Sequence, residues 1–193
     1  MAKQTTIEKE FSIDGISKSP AVFDYNKLEW FNGEYIKNMT VEEFEETARP
    51  YILQGIGDKP FDTLKIAGIL QQRTTKLTQI PETISFFARQ PEYGKELFVN
   101  KKSKTNLENA PVMLKAVYDE LSALDNWEHN AIHDCLIGLA EKLGVKNGTV
   151  MWPARISVSG KTVTPGGAIE ILDILGREES LERMKKGLAL FEE

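Results

Sequence analysis

Apolar residues recur at helical spacing along most of the chain, and this pattern predicts a mainly α-helical fold. Residues 107–124 and 127–143 show it most clearly, with an apolar side chain every three or four positions. Four shorter amphipathic helices are expected over 64–72, from Pro81 onward, over 164–175 and over 180–190.

Several residues mark where these helices begin and end. Thr40-Val-Glu-Glu43 has the spacing of a capping box and predicts a helix through about Leu53. Gly144 suits the C-terminal end of the 127–143 helix. Thr164 is a good N-cap residue, and Pro165 after it suits the first helical position.

The rest of the composition sets limits. Pro, Gly and Lys gather between Glu92 and Lys104, which predicts a domain boundary there. No apolar run approaches the ~20 residues of a membrane span, and we expect no signal peptide. Cys135 is the single cysteine, so no internal disulfide is expected, as is typical of a reducing cytosol.

The charge pattern bears on nucleic-acid binding. Lys and Arg number 24 against 29 Asp and Glu, and the net charge of −5 counts against a general nucleic-acid binder. A local basic face remains compatible with it, although such clusters are usually solvated surface. The clusters are Lys101-Lys102-Ser-Lys104, Lys142 with Lys146, and Arg183 with Lys185-Lys186.

The residues themselves predict no active site. No glycine-rich loop has the spacing of a phosphate-binding motif. His129 and His133 lie four positions apart, which zinc could use, but ordinary surface histidines are the better interpretation. We therefore predict no catalytic residue and no metal site.

Residues 152–166 carry the strongest functional signal. Arg155 precedes by nine residues the Thr164-Pro165-Gly166 turn, which is predicted to open a helix. Free N–H groups at a helix start favour anions such as phosphate, and an arginine beside them could bind a polyanion. Trp152 could stack on an unstacked base. The alternative is that this turn is only a helix start.

The segment Trp152-Pro-Ala-Arg-Ile-Ser-Val-Ser-Gly160 with Thr164-Pro-Gly166 resembles a signature near the C-terminus of bacterial glutamyl-tRNA synthetases. Residues 11–36 are similar to the family segment that joins the catalytic and anticodon-binding halves. Arg73 to Pro81 resembles a helix pair of the first anticodon-binding subdomain. The similarity runs in order from about residue 11 to about residue 190.

This resemblance implies the helical-cage anticodon-binding domain of a class I synthetase, preceded by a small stem-contact segment. The expected divisions are a stem-contact segment 1–38 and two helical subdomains, 39–98 and 99–193. Ile16-Ser-Lys-Ser19 imitates the family's ATP loop but is interpreted as a structural turn, since almost nothing precedes it.

The resemblance also implies partners. The complete family enzyme ligates glutamate to tRNA-Glu with ATP and Mg²⁺, whereas this chain alone is expected to use no cofactor and to catalyse nothing. Its expected partners are tRNA-Glu and the catalytic half of the synthetase, in cis or in trans. We expect a cytoplasmic monomer that does not contact a membrane.

The resemblance implies that five residues fall on family positions at the anticodon: Arg73, Arg155, Thr164, Pro165 and Gly166. Trp152 is a sixth candidate, because it lies in the same family segment and its ring could stack on an anticodon base. Arg73 falls where discriminating members contact the third anticodon base, which is C in tRNA-Glu and G in tRNA-Gln. The competing interpretation is that Arg73 only caps the preceding helix.

The chain also departs from the family pattern. Ala154 replaces a leucine, Gly167-Ala168 replaces an apolar-aromatic pair, and Ile137 stands where some members place an arginine. The departures at Ala168 and Ile137, together with the acidic charge balance, keep a second hypothesis open. In it the chain is a stand-alone helical module that binds a protein partner and whose RNA face has decayed.

Overall fold

The computed structural model of the protein describes residues 24–192. Within this range the chain is α-helical, with a single isolated antiparallel bridge between Asn100 and Thr105 and no other β-structure. The mainly α fold is therefore confirmed. Most of the predicted stem-contact segment 1–38, including Ile16-Ser-Lys-Ser19, lies outside the described residues.

The α-helices of the described part, in chain order, are α1 Tyr25–Lys37, α2 Val41–Ile56, α3 Thr63–Leu70, α4 Ile80–Ala88, α5 Asn109–Ser122, α6 His129–Lys142, α7 Asn147–Ser159, α8 Ala168–Leu175 and α9 Arg177–Ala189. Short 3₁₀ turns lie at Gln71–Arg73, Leu77–Gln79 and Lys95–Phe98.

The first helical cluster consists of α2, α3 and α4. The predicted capping box opens α2: Thr40 N–H donates to Glu43 Oε2 at 2.9 Å, and Glu43 N–H donates to Thr40 Oγ1 at 3.2 Å. Helix α2 packs closely on α4, because a Cβ on Gly55 would lie only 2.7 Å from Cγ1 of Ile84. The helix continues to Ile56, three residues beyond the expected end at Leu53.

The second cluster surrounds α7, which contacts α5, α6, α8 and α9. Eight of its 13 residues are buried, so it has no broad polar face. Helix α6 ends as expected in a Schellman motif at Gly144, whose φ is 63°. There the N–H of Gly144 donates to Glu141 O and that of Val145 donates to Ala140 O, both at 3.0 Å.

Arg183 of α9 joins the two clusters. Arg183 is 1% exposed, and its Nη1 donates to the carbonyls of Phe86 and Val158 at 2.8 Å each. Nη2 donates to Phe87 O at 3.2 Å, and Nε pairs with Glu179 at 2.8 Å. The expected surface cluster of Arg183 with Lys185-Lys186 is therefore wrong for Arg183, which lies in the interior.

The helix start predicted at Thr164 is also wrong. Helix α8 begins at Ala168, and Gly167 occupies the N-cap position. The Thr164 hydroxyl donates to Gly166 O at 2.6 Å, so it stabilises a turn before the helix. Thr164 and Pro165 are both buried in this turn.

Candidate nucleic-acid interface

Two arginines from different helical clusters reach the same loop, residues 161–167. Arg73 follows α3, and its Nη1 donates to Thr164 O at 3.3 Å. Arg155 lies on α7, and its Nη2 donates to Thr162 O at 2.9 Å. The fold thus brings together side chains that are 82 positions apart in the sequence, and the predicted Thr164-Pro165-Gly166 turn lies in the loop they hold.

Trp152 contacts Arg155 and so lies beside the 161–167 loop. The Arg155 Cζ lies 4.6 Å from the centre of the Trp152 ring, which is a cation–π distance. The indole Nε1–H donates to Leu97 O at 3.0 Å and fixes the ring plane. One face of Trp152 is therefore covered by Arg155, and the ring first serves to orient the guanidinium.

Arg155 is incompletely satisfied. Its Nε is buried and has no hydrogen-bond partner among the described residues. Burial lowers the pKa of Arg155, and the nearby positive charge of Arg73 lowers that pKa further. The arginine ion pairs within residues 24–192 are those of Arg49 and Arg183, so Arg73 and Arg155 have no carboxylate partner there. An anion would be stabilised between them.

The Thr164-Pro165-Gly166 turn packs against α3. A Cβ on Gly166 would lie 3.2 Å from Cγ2 of Ile69, which favours glycine at this close approach. The N–H of Gly167 donates to the Glu170 carboxylate at 3.0 Å. This N–H at the start of α8 therefore already has a carboxylate acceptor. An anionic ligand would bind to the two arginines and not at the helix start.

Two cavities flank Arg73 and Pro165, which line both of them. One, of about 370 Å³, carries the cations Arg73, Lys76 and Lys161 with the single acid Glu82. The other, of about 480 Å³, is lined by Lys65 and His129 and also by the acids Glu170 and Asp173, and Lys65 is ion-paired with Asp173 at 2.8 Å. The sequence does not predict Lys76 and Lys161 as site residues; Lys161 stands directly after Gly160, the only signal that could have drawn attention to it.

Of the predicted basic clusters, Lys101, Lys102 and Lys104 form an exposed turn closed by the Asn100–Thr105 bridge. Lys142 instead forms an ion pair with Glu120 at 2.8 Å. Among residues 24–192, no three His, Cys, Asp or Glu side chains are grouped so as to hold a metal ion.

The family described as "Anticodon binding domain" matches residues 36–188, which is most of the chain. The chain belongs to the anticodon-binding domain family. This match spans both helical clusters and contains Arg73, Arg155 and the loop that they hold.

Curated proteins with similar sequences include glutamate–tRNA ligases. A glutamate–tRNA ligase of Clostridium tetani is 49% identical over 179 residues, covering 93% of this chain and 36% of that protein. The glutamate–tRNA ligase of Clostridium novyi is 40% identical over 188 residues, covering 96% and 39%. The resemblance to glutamyl-tRNA synthetases is confirmed, and the chain spans a little over a third of the length of these relatives.

Solved structures agree with the anticodon-binding fold. A glutamate–tRNA ligase of Elizabethkingia meningosepticum, in complex with its amino acid, superposes with a TM-score of 0.78 at 28% identity. It covers 94% of this chain, which corresponds to 35% of that one. The enzyme from Elizabethkingia anophelis gives a TM-score of 0.75 at 27% identity, with the same coverage.

No helix of the described residues is long and apolar enough to cross a bilayer.

Proposed function

We propose that this chain binds tRNA-Glu at the anticodon, as the C-terminal portion of a glutamate–tRNA ligase. The observation that carries the proposal is the pair Arg73 and Arg155, whose side chains meet the 161–167 loop from two helical clusters. The names of the relatives and the family match support the same interpretation.

Each proposed contact residue has a physical role. Arg73 and Arg155 supply paired donors for a base edge or a phosphate. Trp152 orients the Arg155 guanidinium, and the part of its half-buried ring that neither Arg155 nor the core covers would stack on a base. Thr164, Pro165 and Gly166 form the turn that both cavities share. In the smaller cavity Lys76 is ion-paired with Glu29, but Arg73 and Lys161 still outnumber the one acid, Glu82, which favours a polyanion.

The proposal extends to the whole protein. Glutamate activation with ATP and Mg²⁺ would lie in the catalytic half, joined to this domain in cis or supplied in trans. We propose a cytoplasmic monomer with a stem-contact segment 1–38 and subdomains 39–98 and 99–193. The contacts made by Arg183 would hold the two subdomains in a fixed relation.

The direct test is to titrate the chain with fluorescently labelled tRNA-Glu at low and high salt. We expect binding that weakens with salt, because phosphate contacts release counterions. A tRNA-Glu transcript with a substituted anticodon is the matched control and should bind more weakly at both salt concentrations. Equal binding of both transcripts would show that the anticodon is not read.

The alternative is a module that binds a protein partner, and the departures at Ile137 and Ala168 are what favour it. It makes a different expectation in the same experiment. Affinity for tRNA would be absent or independent of salt, whereas a catalytic half supplied in trans would still be bound.

A further inference from the structure

Val163 lies at the tip of the 161–167 loop with an exposed apolar side chain. It is 78% exposed, more than any other large hydrophobic residue of the described part. A single exposed valine is ordinary on a protein surface. What distinguishes Val163 is that each residue beside it is held: the Thr162 carbonyl accepts from Arg155, and the Thr164 carbonyl accepts from Arg73.

The start of the loop is held equally well. The Ser159 hydroxyl accepts from Lys161 N–H at 3.2 Å and lies 3.3 Å from Lys161 O. Lys161 Nζ donates to Glu82 O at 3.3 Å. Because Val163 is β-branched, its side chain is also stiff about χ1. The loop therefore presents a branched apolar group in a fixed position.

The surroundings of Val163 are cationic. It lines the same 370 Å³ cavity as Arg73 and Lys161, where Glu82 is the one acid. Lys76 also lines this cavity but is ion-paired with Glu29. A ligand that suits this arrangement combines anionic groups with a flat apolar face. A nucleotide has both, since its phosphate is charged and its base has a π-face.

We propose that Val163 packs against the face of one unstacked base of the bound RNA. This inference rests on the proposed function, and it adds a contact residue that the family signature did not indicate. The flanking cations would hold the phosphates while the valine methyl groups contact the base, so Val163 contributes affinity at one nucleotide position.

The test uses the whole chain and anticodon stem–loop RNAs that carry an abasic nucleotide at each anticodon position in turn. Val163→Ser should bind the unmodified RNA about tenfold more weakly, the scale expected when a valine side chain is no longer buried against its partner. With one of the abasic RNAs, the wild type and Val163→Ser should bind equally. Val163→Ile should keep the affinity, since it keeps the apolar surface.

Val112 offers a matched control, because this valine of α5 is 60% exposed and far from the loop in sequence. Val112→Ser should leave RNA affinity unchanged, and neither serine variant should alter the melting temperature appreciably. If Val163→Ser binds as well as the wild type, the inference is wrong while the proposed function stands. If it loses the same factor on every abasic RNA, no single base is contacted, and the inference is again wrong. If the wild type binds none of the RNAs, the proposed function itself fails.

Discussion

Two arginines lie near the C-terminal end of α7 in very different surroundings. Arg183 makes four hydrogen bonds, to Glu179 and to the carbonyls of Phe86, Phe87 and Val158. We call these groups the Arg183 cluster. Arg155, with Trp152, Arg73 and the 161–167 loop, forms the Arg155 cluster, in which Arg155 makes one hydrogen bond and its Nε has no partner within the described residues.

The difference follows from what each site must do. A buried charge is tolerated when the protein supplies partners for its donors, and Arg183 receives them from both helical clusters. The Arg155 cluster instead places two positive charges together, and burial lowers the pKa of Arg155 there. The Arg155 Nε is itself buried, so the donors available to a ligand in this cluster are those of the exposed Arg73 side chain.

The largest expected effect comes from removing the Arg183 guanidinium. Arg183→Leu leaves the carbonyls of Phe86, Phe87 and Val158 without this donor and should cost about 3–5 kcal/mol of stability. Urea unfolding followed by circular dichroism would measure it.

Arg177→Gln is the control for that substitution. Arg177 is also on α9, but it is exposed and donates only to Ser122 O among the contacts of its side chain that the structure gives. It should unfold close to the wild type. An Arg183→Leu variant as stable as Arg177→Gln would mean that the Arg183 cluster does not join the two helical clusters energetically.

Sequence patterns predict the amphipathic helices well and fail at α7. Helix α6 is expected over 127–143 and is observed over His129–Lys142, because its apolar stripe faces a single core. Helix α7 is buried on most sides and contains Pro153, so it has neither a stripe nor uniform helix formers. The prediction that Arg183 lies on the surface with Lys185 and Lys186 fails because the position of a charged residue in the sequence does not indicate whether it is buried.

The candidate site is predictable only in part. Family resemblance indicates Arg73, Arg155 and the Thr164 turn, and the fold brings these together. The resemblance could not show that Arg155 covers Trp152, or that Lys161 and Val163 share a cavity with Arg73. Those relations depend on how α3 and α7 pack against the loop, which no local pattern encodes.

The next expectation concerns the Arg155 cluster and rests on Arg73. If Arg73 contacts the third anticodon base, Arg73→Gln should reduce discrimination between tRNA-Glu and tRNA-Gln by about 1–3 kcal/mol, the scale of one specific base contact. Its melting temperature should stay near that of the wild type, because the side chain is exposed. Paired binding titrations with the two tRNAs measure the ratio.

The competing role for Arg73 is a helix cap. In that case Arg73→Gln would lower stability by a few tenths of a kcal/mol and leave the tRNA preference intact. The Arg73 guanidinium donates to Thr164 O of the loop and not to a carbonyl of the preceding helix, which counts against the cap. An unchanged preference would separate the Arg155 cluster from base recognition while leaving the family assignment in place.

A smaller effect should come from the basic turn at Lys101, Lys102 and Lys104. If the turn binds RNA phosphates, Lys101→Gln with Lys102→Gln should reduce the slope of log affinity against log salt by about 1 for each phosphate that is no longer neutralised. Lys142→Gln is the control, since Lys142 is paired with Glu120. Identical slopes in the wild type and both variants would restrict phosphate binding to the Arg155 cluster.

The surroundings of Arg49 are intermediate between those of Arg183 and those of Arg155. It is 55% exposed, and its Nε and Nη2 donate to the Glu45 carboxylate at 2.8 and 2.6 Å. Thr63 adds a third hydrogen bond to that carboxylate at 2.6 Å. Arg49 therefore has a carboxylate partner, as Arg183 has, but remains in contact with water.

The smallest expected effect is a pH dependence at Glu45. The hydrogen bonds from Arg49, and then from Thr63, lower the pKa of Glu45 against the opposing effect of burial. A carboxyl whose folded pKa is depressed stabilises the protein above its unfolded pKa, about 4.3 for glutamate, and this contribution is lost as the pH falls through the folded value. Glu45→Gln should therefore melt below the wild type near neutral pH and converge with it in acid. A gap between their melting temperatures that stays constant from about pH 7 to about pH 3 would mean that the ionised carboxylate contributes nothing beyond its shape.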